Sequence, residues 1–290
     1  GVRFRERSHQ KPAENAAQEI VGDLVVDASG SSSAAPEWLK EFGYQAPSET
    51  TVDPYIGYST RFYQRPEDAE WWWHGLVIQG TGPSRRSGAL MEIEGGRWMV
   101  LVAGAGHDYP PTDEKGYLAF AKSLPDSVLY ESIQKATPLS DIYGYRPGGN
   151  RFRHYEHATM PQNFIVIGDA VCTFNPLYGQ GVTVAALEAQ LLDRCLCTWH
   201  RRNDPVRHFQ KQIAQVLASP WMLATADDSA PQGRKSLREK VANWYVAGHV
   251  IPAIPKDAQV QRTFVEIVNM VRSPNALLHP AIVGRVLVRR

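Results

Sequence analysis

Ile165-Val166-Ile167-Gly168-Asp169-Ala170, running on through Asn175-Pro176-Leu177-Tyr178 to Gly179-Gln180-Gly181-Val182, is the most informative stretch of this chain. An apolar run of strand type meets a Gly-Asp-Ala turn. After a loop containing proline, Gly-Gln-Gly opens the strongest helix pattern in the sequence, Gly181–His200. Short continuous apolar runs that end in small residues suit a buried parallel sheet. A carboxylate at the carboxyl end of such a strand can accept hydrogen bonds from ligand hydroxyls. Glycines at the following helix start let backbone approach a ligand closely, and the free N–H groups there favour negative charge. Gly168, Asp169, Ala170, Pro176, Gly179, Gln180, Gly181 and Val182 are therefore candidate ligand-binding residues. The plainer alternative is a Gly-rich strand–helix turn with Asp169 as an ordinary cap.

Outward from this segment, Leu24-Val25-Val26 is a second short apolar run, ending in Asp27-Ala28-Ser29-Gly30. The two runs are expected to share one sheet. Val2–Arg5 alternates like a strand, and Pro36–Phe42 reads as a helix with Ser33 as candidate cap. Between them and the informative stretch, Ile56–Tyr63, Trp72–Gln79, Ala89–Ile93 and Arg97–Ala103 are β-branched or aromatic and separated by Gly/Pro-rich turns, which predicts an antiparallel sheet. Thr112–Leu124 and Ser127–Ala136 read as helices, and Asp141–Tyr145 and Arg151–Tyr155 as strands. Gly181–His200 is apolar over much of its circumference, so it is expected to be buried nearly all round. From Asp204 onward the pattern is helical, broken by prolines that include Pro220, Pro252 and Pro255. The expected division is 1–35 and 161–203 as parts of one α/β domain, 36–160 as a β-rich domain, and 204–290 as a helical region.

Composition removes several function classes. The 290 residues are 43% hydrophobic and 21% charged, as in a soluble globular chain. The net charge of +1 gives no basic field for nucleic acid. No apolar run approaches the ~20 residues of a spanning helix. Three cysteines are too few for a disulfide framework, which points to a reducing, cytoplasmic setting. The chain opens on Gly1 with a strand already in progress and no apolar leader, so it is read as processed or as a fragment.

The spacing G-D-A, five residues, P, two residues, G-Q-G resembles the C-terminal FAD motif of the flavin monooxygenases related to aromatic hydroxylases (p-hydroxybenzoate hydroxylase-like) and squalene epoxidase. The resemblance implies a partial glutathione-reductase-like Rossmann FAD domain, an inserted antiparallel-sheet substrate domain and C-terminal helices. It implies that Asp169 binds the flavin ribityl chain and that Gly181 and Val182 face the isoalloxazine. Gly22–Gly30 resembles the family's middle motif near the FAD and NAD(P)H pyrophosphates, with Asp27 and Gly30 as candidates. Ser29 stands where Asp is usual, a form more like the geranylgeranyl reductase and halogenase branches. The family's opening G-x-G-x-x-G unit is not found. Gly104-Ala105-Gly106 follows a strand, but Tyr109 and two prolines come next and no helix opens there. The reading is a chain without its first βαβ lobe.

The implied function is FAD-dependent monooxygenation, by hydroxylation or epoxidation of a bulky apolar or aromatic small molecule through a flavin C4a-hydroperoxide, with NAD(P)H as electron donor. A flavin reductase of prenyl double bonds and a truncated, non-catalytic flavin fold are the alternatives. In this family the flavin carries the chemistry, so no catalytic side chain is named. Trp72 of Trp71-Trp72-Trp73, with Tyr58, Phe62 and Met91, could line the substrate pocket. Cys172 is read as a small buried filler, and Cys195 and Cys197 as structural. His154 and His157 are expected to face opposite ways, without metal, and Arg146, Arg151 and Arg153 to form a solvated strip. The expected partners are a small-molecule substrate and, at most, a second copy in a homodimer.

Overall fold

The computed structural model describes residues 1–4, 17–67, 74–80, 85–176, 179–228, 241–242 and 244–288. Trp71-Trp72-Trp73, Leu177-Tyr178 and Pro231 lie outside the described residues. Two compact units are present: residues 1–52 with 150–290, and residues 53–149.

The chain enters the first unit through an antiparallel pair, β1 (Val2–Phe4) and β2 (Gln18–Ile20). β3 (Val25–Asp27), α1 (Ala35–Glu41) and β4 (Glu49–Val52) follow. Pro36 falls in the first turn of α1, where its missing N–H costs nothing. Ser33 lies one residue outside the formal cap, Ala34, yet its Oγ still accepts the Ala35 N–H at 3.0 Å.

The second unit holds β5 (Gly57–Gln64), β6 (Gly75–Ile78), β7 (Ser87–Ile93), β8 (Arg97–Gly104), α2 (Glu114–Lys122), α3 (Val128–Gln134), β9 (Thr137–Pro138) and β10 (Tyr143–Tyr145). Its antiparallel sheet runs β10-β5-β8-β7-β6, with β9 on the end of β5. The β7–β8 hairpin closes through Gly95 and Gly96, both with positive φ (75° and 64°), a conformation glycine adopts without strain. Strand alternation gives the sheet two faces. Tyr63, Trp98, Val100, Val102 and Leu90 point to one face and pack with Tyr117, Phe120, Leu129 and Ile133 of α2 and α3. The opposite face carries the cross-strand row Phe62–Met99–Met91, then Thr60–Leu101–Ala89–Val77, with Tyr143 opposite Thr60 and Tyr145 opposite Tyr58. Val77, Met91, Tyr143 and Tyr145 on that face are exposed.

β11 (Asn150–Arg153) returns the chain to the first unit antiparallel to β4. β12 (Phe164–Val166), β13 (Cys172–Thr173), α4 (Gly181–Leu196) and α5 (Pro205–Asp228) follow, then helices Ala258–Val268 and Pro280–Val288. β12 lies parallel to β3, with Phe164 opposite Val25 and Val166 opposite Asp27. The two apolar runs therefore do share a sheet. α4 departs from its expected burial. Only Val184, Glu188, Leu191 and Cys195 are buried, a stripe at spacings of four and three, while Val182 is 86% exposed. Three of the apolar residues off that stripe, Ala185, Ala186 and Ala189, are alanines with little surface to hide, while Val182 and Leu196 stay exposed. Pro220 does not break α5, which runs through it. Buried Phe209, Ile213, Leu217 and Ala224 lie on both sides of that proline and hold the helix against the core. The C-terminal helices have their own core of Val250, Val260, Ile267, Leu277, Ile282 and Val286. No helix among the described residues is long and apolar enough to cross a membrane.

Candidate functional site

The parallel register of β3 and β12 brings their carboxyl ends together, and with them Asp27 and Asp169. The Ile167 N–H donates to the Asp27 carbonyl at 2.9 Å, continuing the ladder one residue past β12. Gly168 then turns the chain at φ +65°, opening the tight turn Gly168–Ala170.

Other groups in the first unit fix this turn. Arg153, 6% exposed, donates from Nη1 to the Ala170 carbonyl at 3.2 Å and the Ser33 carbonyl at 3.3 Å. Its Nε pairs with Glu49 at 2.9 Å. Thr173 Oγ1 donates to the Asp169 carbonyl at 3.0 Å, and the Gly168 N–H donates to the Glu188 carboxylate. The Asp169 carboxylate is different. It accepts no hydrogen bond and forms no ion pair among the described residues, and it is open to solvent on its outer side. The surrounding turn and helix start strip enough water from it to raise its carboxyl above the usual Asp range.

Asp27, also at a strand end, is already occupied. It is 5% exposed, and one oxygen accepts the Ser29 N–H at 2.9 Å and the Ser29 hydroxyl at 2.6 Å. The other accepts the Ser33 hydroxyl. Asp27 therefore holds the loop that carries Gly30, whose φ is +86°. Arg151 clamps the same loop by donating to the Ser31 carbonyl.

The start of α4 lies beside Asp169: a Cβ on Gly181 would sit 3.8 Å from Asp169 Oδ1. Among the described residues no side chain caps α4, and no acidic residue lies in its first turn. Its free N–H groups can therefore face a negatively charged or polar ligand edge. Gly30, Gly168 and Gly179 all have positive φ and open space where a Cβ would project, so backbone is bare at each. Pro176 is exposed, and its carbonyl accepts the Gly179 N–H at 3.0 Å. Ala170 turns its methyl into the core. Gln180 is buried, with Nε2 donating to the Val268 carbonyl at 3.3 Å and Oε1 without a hydrogen-bond partner among the described residues. Tyr58 belongs to the second unit, where it packs with Ile56 and Ala103.

Cys172 is a buried filler whose thiol pKa is pushed up by burial and by the nearby Glu188 and Asp169 carboxylates. The arginine strip needs correction: Arg153 is a buried bridge between loops, and Arg151 is partly buried. The expectation that His154 and His157 face opposite ways also fails. A helical turn at Tyr155–His157 replaces the expected extended segment. His154 and His157 consequently stack, with ring centroids 6.1 Å apart, and both reach Glu156. The sequence places Arg153 on the wrong side of the surface and gives Glu188 no role at all. The available signal for Glu188 was its phase, since it recurs with Val184 and Leu191 on the stripe that faces inward.

No known family profile matches the chain. It is 29% identical to protein Rv3254 of Mycobacterium tuberculosis (strain ATCC 25618 / H37Rv) over 215 residues, covering 72% of this chain and 44% of that protein. The chain thus spans less than half the length of this curated relative. Among solved structures, it is similar to a triple mutant of the flavin-dependent brominase Bmp2, with a TM-score of 0.60 and 13% identity over 97% of this chain and 69% of that one. It is also similar to the anhydrotetracycline hydroxylase OxyS from Streptomyces rimosus, with a TM-score of 0.50 and 14% identity over 85% of this chain and 46% of that one. The strand-end turn, the helix start and the antiparallel sheet thus belong to a chain with the fold of a flavin-dependent brominase, an FAD-dependent halogenase and the hydroxylase OxyS.

Proposed function

We propose that this chain forms the ribityl- and ring-facing part of an FAD-dependent monooxygenase that hydroxylates or epoxidises a bulky apolar or aromatic small molecule. The observation that carries this reading is the Asp169 carboxylate, unpartnered on a turn whose backbone is engaged and set beside the uncapped start of α4. The residues present fit a flavin nucleotide: a free acceptor for ribityl hydroxyls, side-chain-free backbone at Gly168 and Gly179, and helix N–H groups for the ring edge. When bound, the flavin supplies the redox chemistry and the activation of oxygen. Asp169 orients the ribityl chain. The N–H groups of Gly181 and Val182 stabilise negative charge on the pyrimidine edge. Pro176 sets the course of the loop beside the ring. With the Asp27 carboxylate held inside its own loop, contact with a nucleotide there falls to the backbone around Gly30. NAD(P)H is the proposed donor and the cytoplasm the proposed setting, the latter in keeping with three free thiols. In the second unit, the row Phe62–Met99–Met91, with Leu101 beside it, offers an apolar floor suited to such a substrate.

Asp169→Ala removes the acceptor without touching the turn's backbone bonds. FAD titration of the intact native product, followed by flavin fluorescence, is expected to show affinity weakened about thirtyfold, the worth of charge-assisted hydrogen bonds near 2 kcal/mol. Unchanged affinity would remove Asp169 as the ribityl anchor. Turnover under labelled dioxygen checks the reaction class: the label enters the product of a monooxygenase, whereas saturation of a double bond without label indicates a reductase.

A further inference from the structure

Glu188 is a buried ionisable group that the reading above leaves without a task. It lies on the inward stripe of α4 at 0% exposure. Its Oε2 accepts the Gly168 N–H, and its Oε1 is buried without a hydrogen-bond partner. No cation pairs with it among the described residues. The titratable groups that act on it or feel it are Asp169 on the turn and the Cys172 thiol on β13. An enclosed carboxylate with one bare oxygen and no counter-ion is costly, and the neutral acid is much less so.

We propose that Glu188 is a positioning residue for the nucleotide-facing turn. Its Oε2 fixes Gly168 by accepting the N–H, and in its neutral form it leaves Asp169 as the single charge at the strand end; ionisation adds a second, buried negative charge beside Asp169, which disfavours an anionic flavin nucleotide over the turn. The proposal rests on the flavin reading of Asp169. Burial, with Asp169 nearby, pushes the Glu188 carboxyl up to about 7. A carboxyl raised on folding stabilises the fold below its unfolded pKa, and that contribution is lost as pH climbs through the folded value. A nucleotide over the turn removes more water and favours the neutral form further, so binding takes up a proton.

The test compares the intact native product with its Glu188→Gln and Glu188→Leu variants. Each is titrated with FAD between about pH 5.5 and 8.5, and each is thermally unfolded without FAD over the same range. The parent is expected to lose about tenfold in FAD affinity and to melt progressively lower as pH rises. Glu188→Gln keeps the acceptor and cannot ionise, so both of its profiles are flatter. Glu188→Leu lacks the acceptor and binds FAD more weakly at every pH. Histidines titrate alike in parent and variants, so the difference between profiles reads Glu188. A Gln variant that follows the parent's pH dependence in both measurements overturns the proposal. If the parent binds no FAD at any pH, the flavin reading and the flavin part of this proposal fail together, while the anchoring of Gly168 is decided by the melting profiles alone.

Discussion

Gly104→Ala is expected to destabilise the second unit by about 4 kcal/mol, at the upper end of what a single overpacking substitution does. Gly104 ends β8 opposite Gly57 of β5, on the face that α2 covers. The turn that follows folds back over this end of the sheet. A Cβ on Gly104 would overlap the Asp108 carbonyl oxygen and meet the Phe120 ring at 3.1 Å. A Cβ on Gly57 would meet the Tyr109 ring at 2.5 Å. A backbone carbonyl cannot move aside as a flexible side chain can, so the strand end or the turn must give way. Gly75→Ala is the matched control. Its Cβ would make only an ordinary 3.7 Å contact with the Leu90 carbonyl, and alanine is expected to stabilise the strand by about 0.5 kcal/mol. Urea unfolding, with amide exchange along β5 and β8, measures both. Equal stability of the two variants would refute the close approach at Gly104.

Arg153→Met is expected to cost about 3 kcal/mol. The methionine fills much of the same volume, so the loss is polar. One guanidinium serves the Ser33 and Ala170 carbonyls, on residues that are 4% and 0% exposed, and pairs with Glu49. Glu49 is partly exposed and regains water when Arg153 goes, but the two carbonyls do not. Because these carbonyls lie on the loop after β3 and the turn after β12, the substitution should also weaken FAD binding in proportion to the freed motion of Asp169. Arg153→Lys recovers only part of the loss, since a point ammonium cannot span three acceptors in the guanidinium's planar geometry. Urea unfolding of the two variants provides the check, and a loss below about 1 kcal/mol for Arg153→Met would mean that water replaces the guanidinium.

The features legible in the sequence were those with a local cause. Strand alternation and Gly-rich turns locate β5, β7 and β8 to within two residues, because alternation and turn residues act within each segment whatever strand it pairs with. The Gly168-Asp169-Ala170 turn is legible because a glycine directly after a short apolar run supplies the positive φ with which the chain turns away from the strand. The role of Asp27 is less legible, although its partners are close at hand: Ser29 and Ser33 both donate to its carboxylate within the same loop, and serines so placed look alike in sequence whether or not they reach it. Glu188 was hidden by counting apolar residues around α4 without asking which of them shared its phase. Arg153 was beyond sequence reasoning in physical terms, since its acceptors lie 120 and 17 residues away and an Arg-rich strand looks alike solvated or buried.

The pairing of β3 with β12 also bears on the order in which the protein folds. Val25 meets Phe164 across about 140 residues, whereas in the second unit β6–β7 and β7–β8 pair as sequence neighbours. Closing a flexible loop of that length is entropically expensive before any contact forms, and nonlocal pairing slows folding accordingly. The second unit lies wholly inside the loop. Once it has condensed, it replaces a long floppy tether with one that leaves and returns at β4 and β11, themselves adjacent and antiparallel. The antiparallel sheet of the second unit thus also acts as a kinetic clamp, shortening the search by which Asp27 and Asp169 arrive at neighbouring strand ends. Substitutions such as Gly104→Ala should therefore slow the assembly of the distant strand pair as well as weakening their own unit.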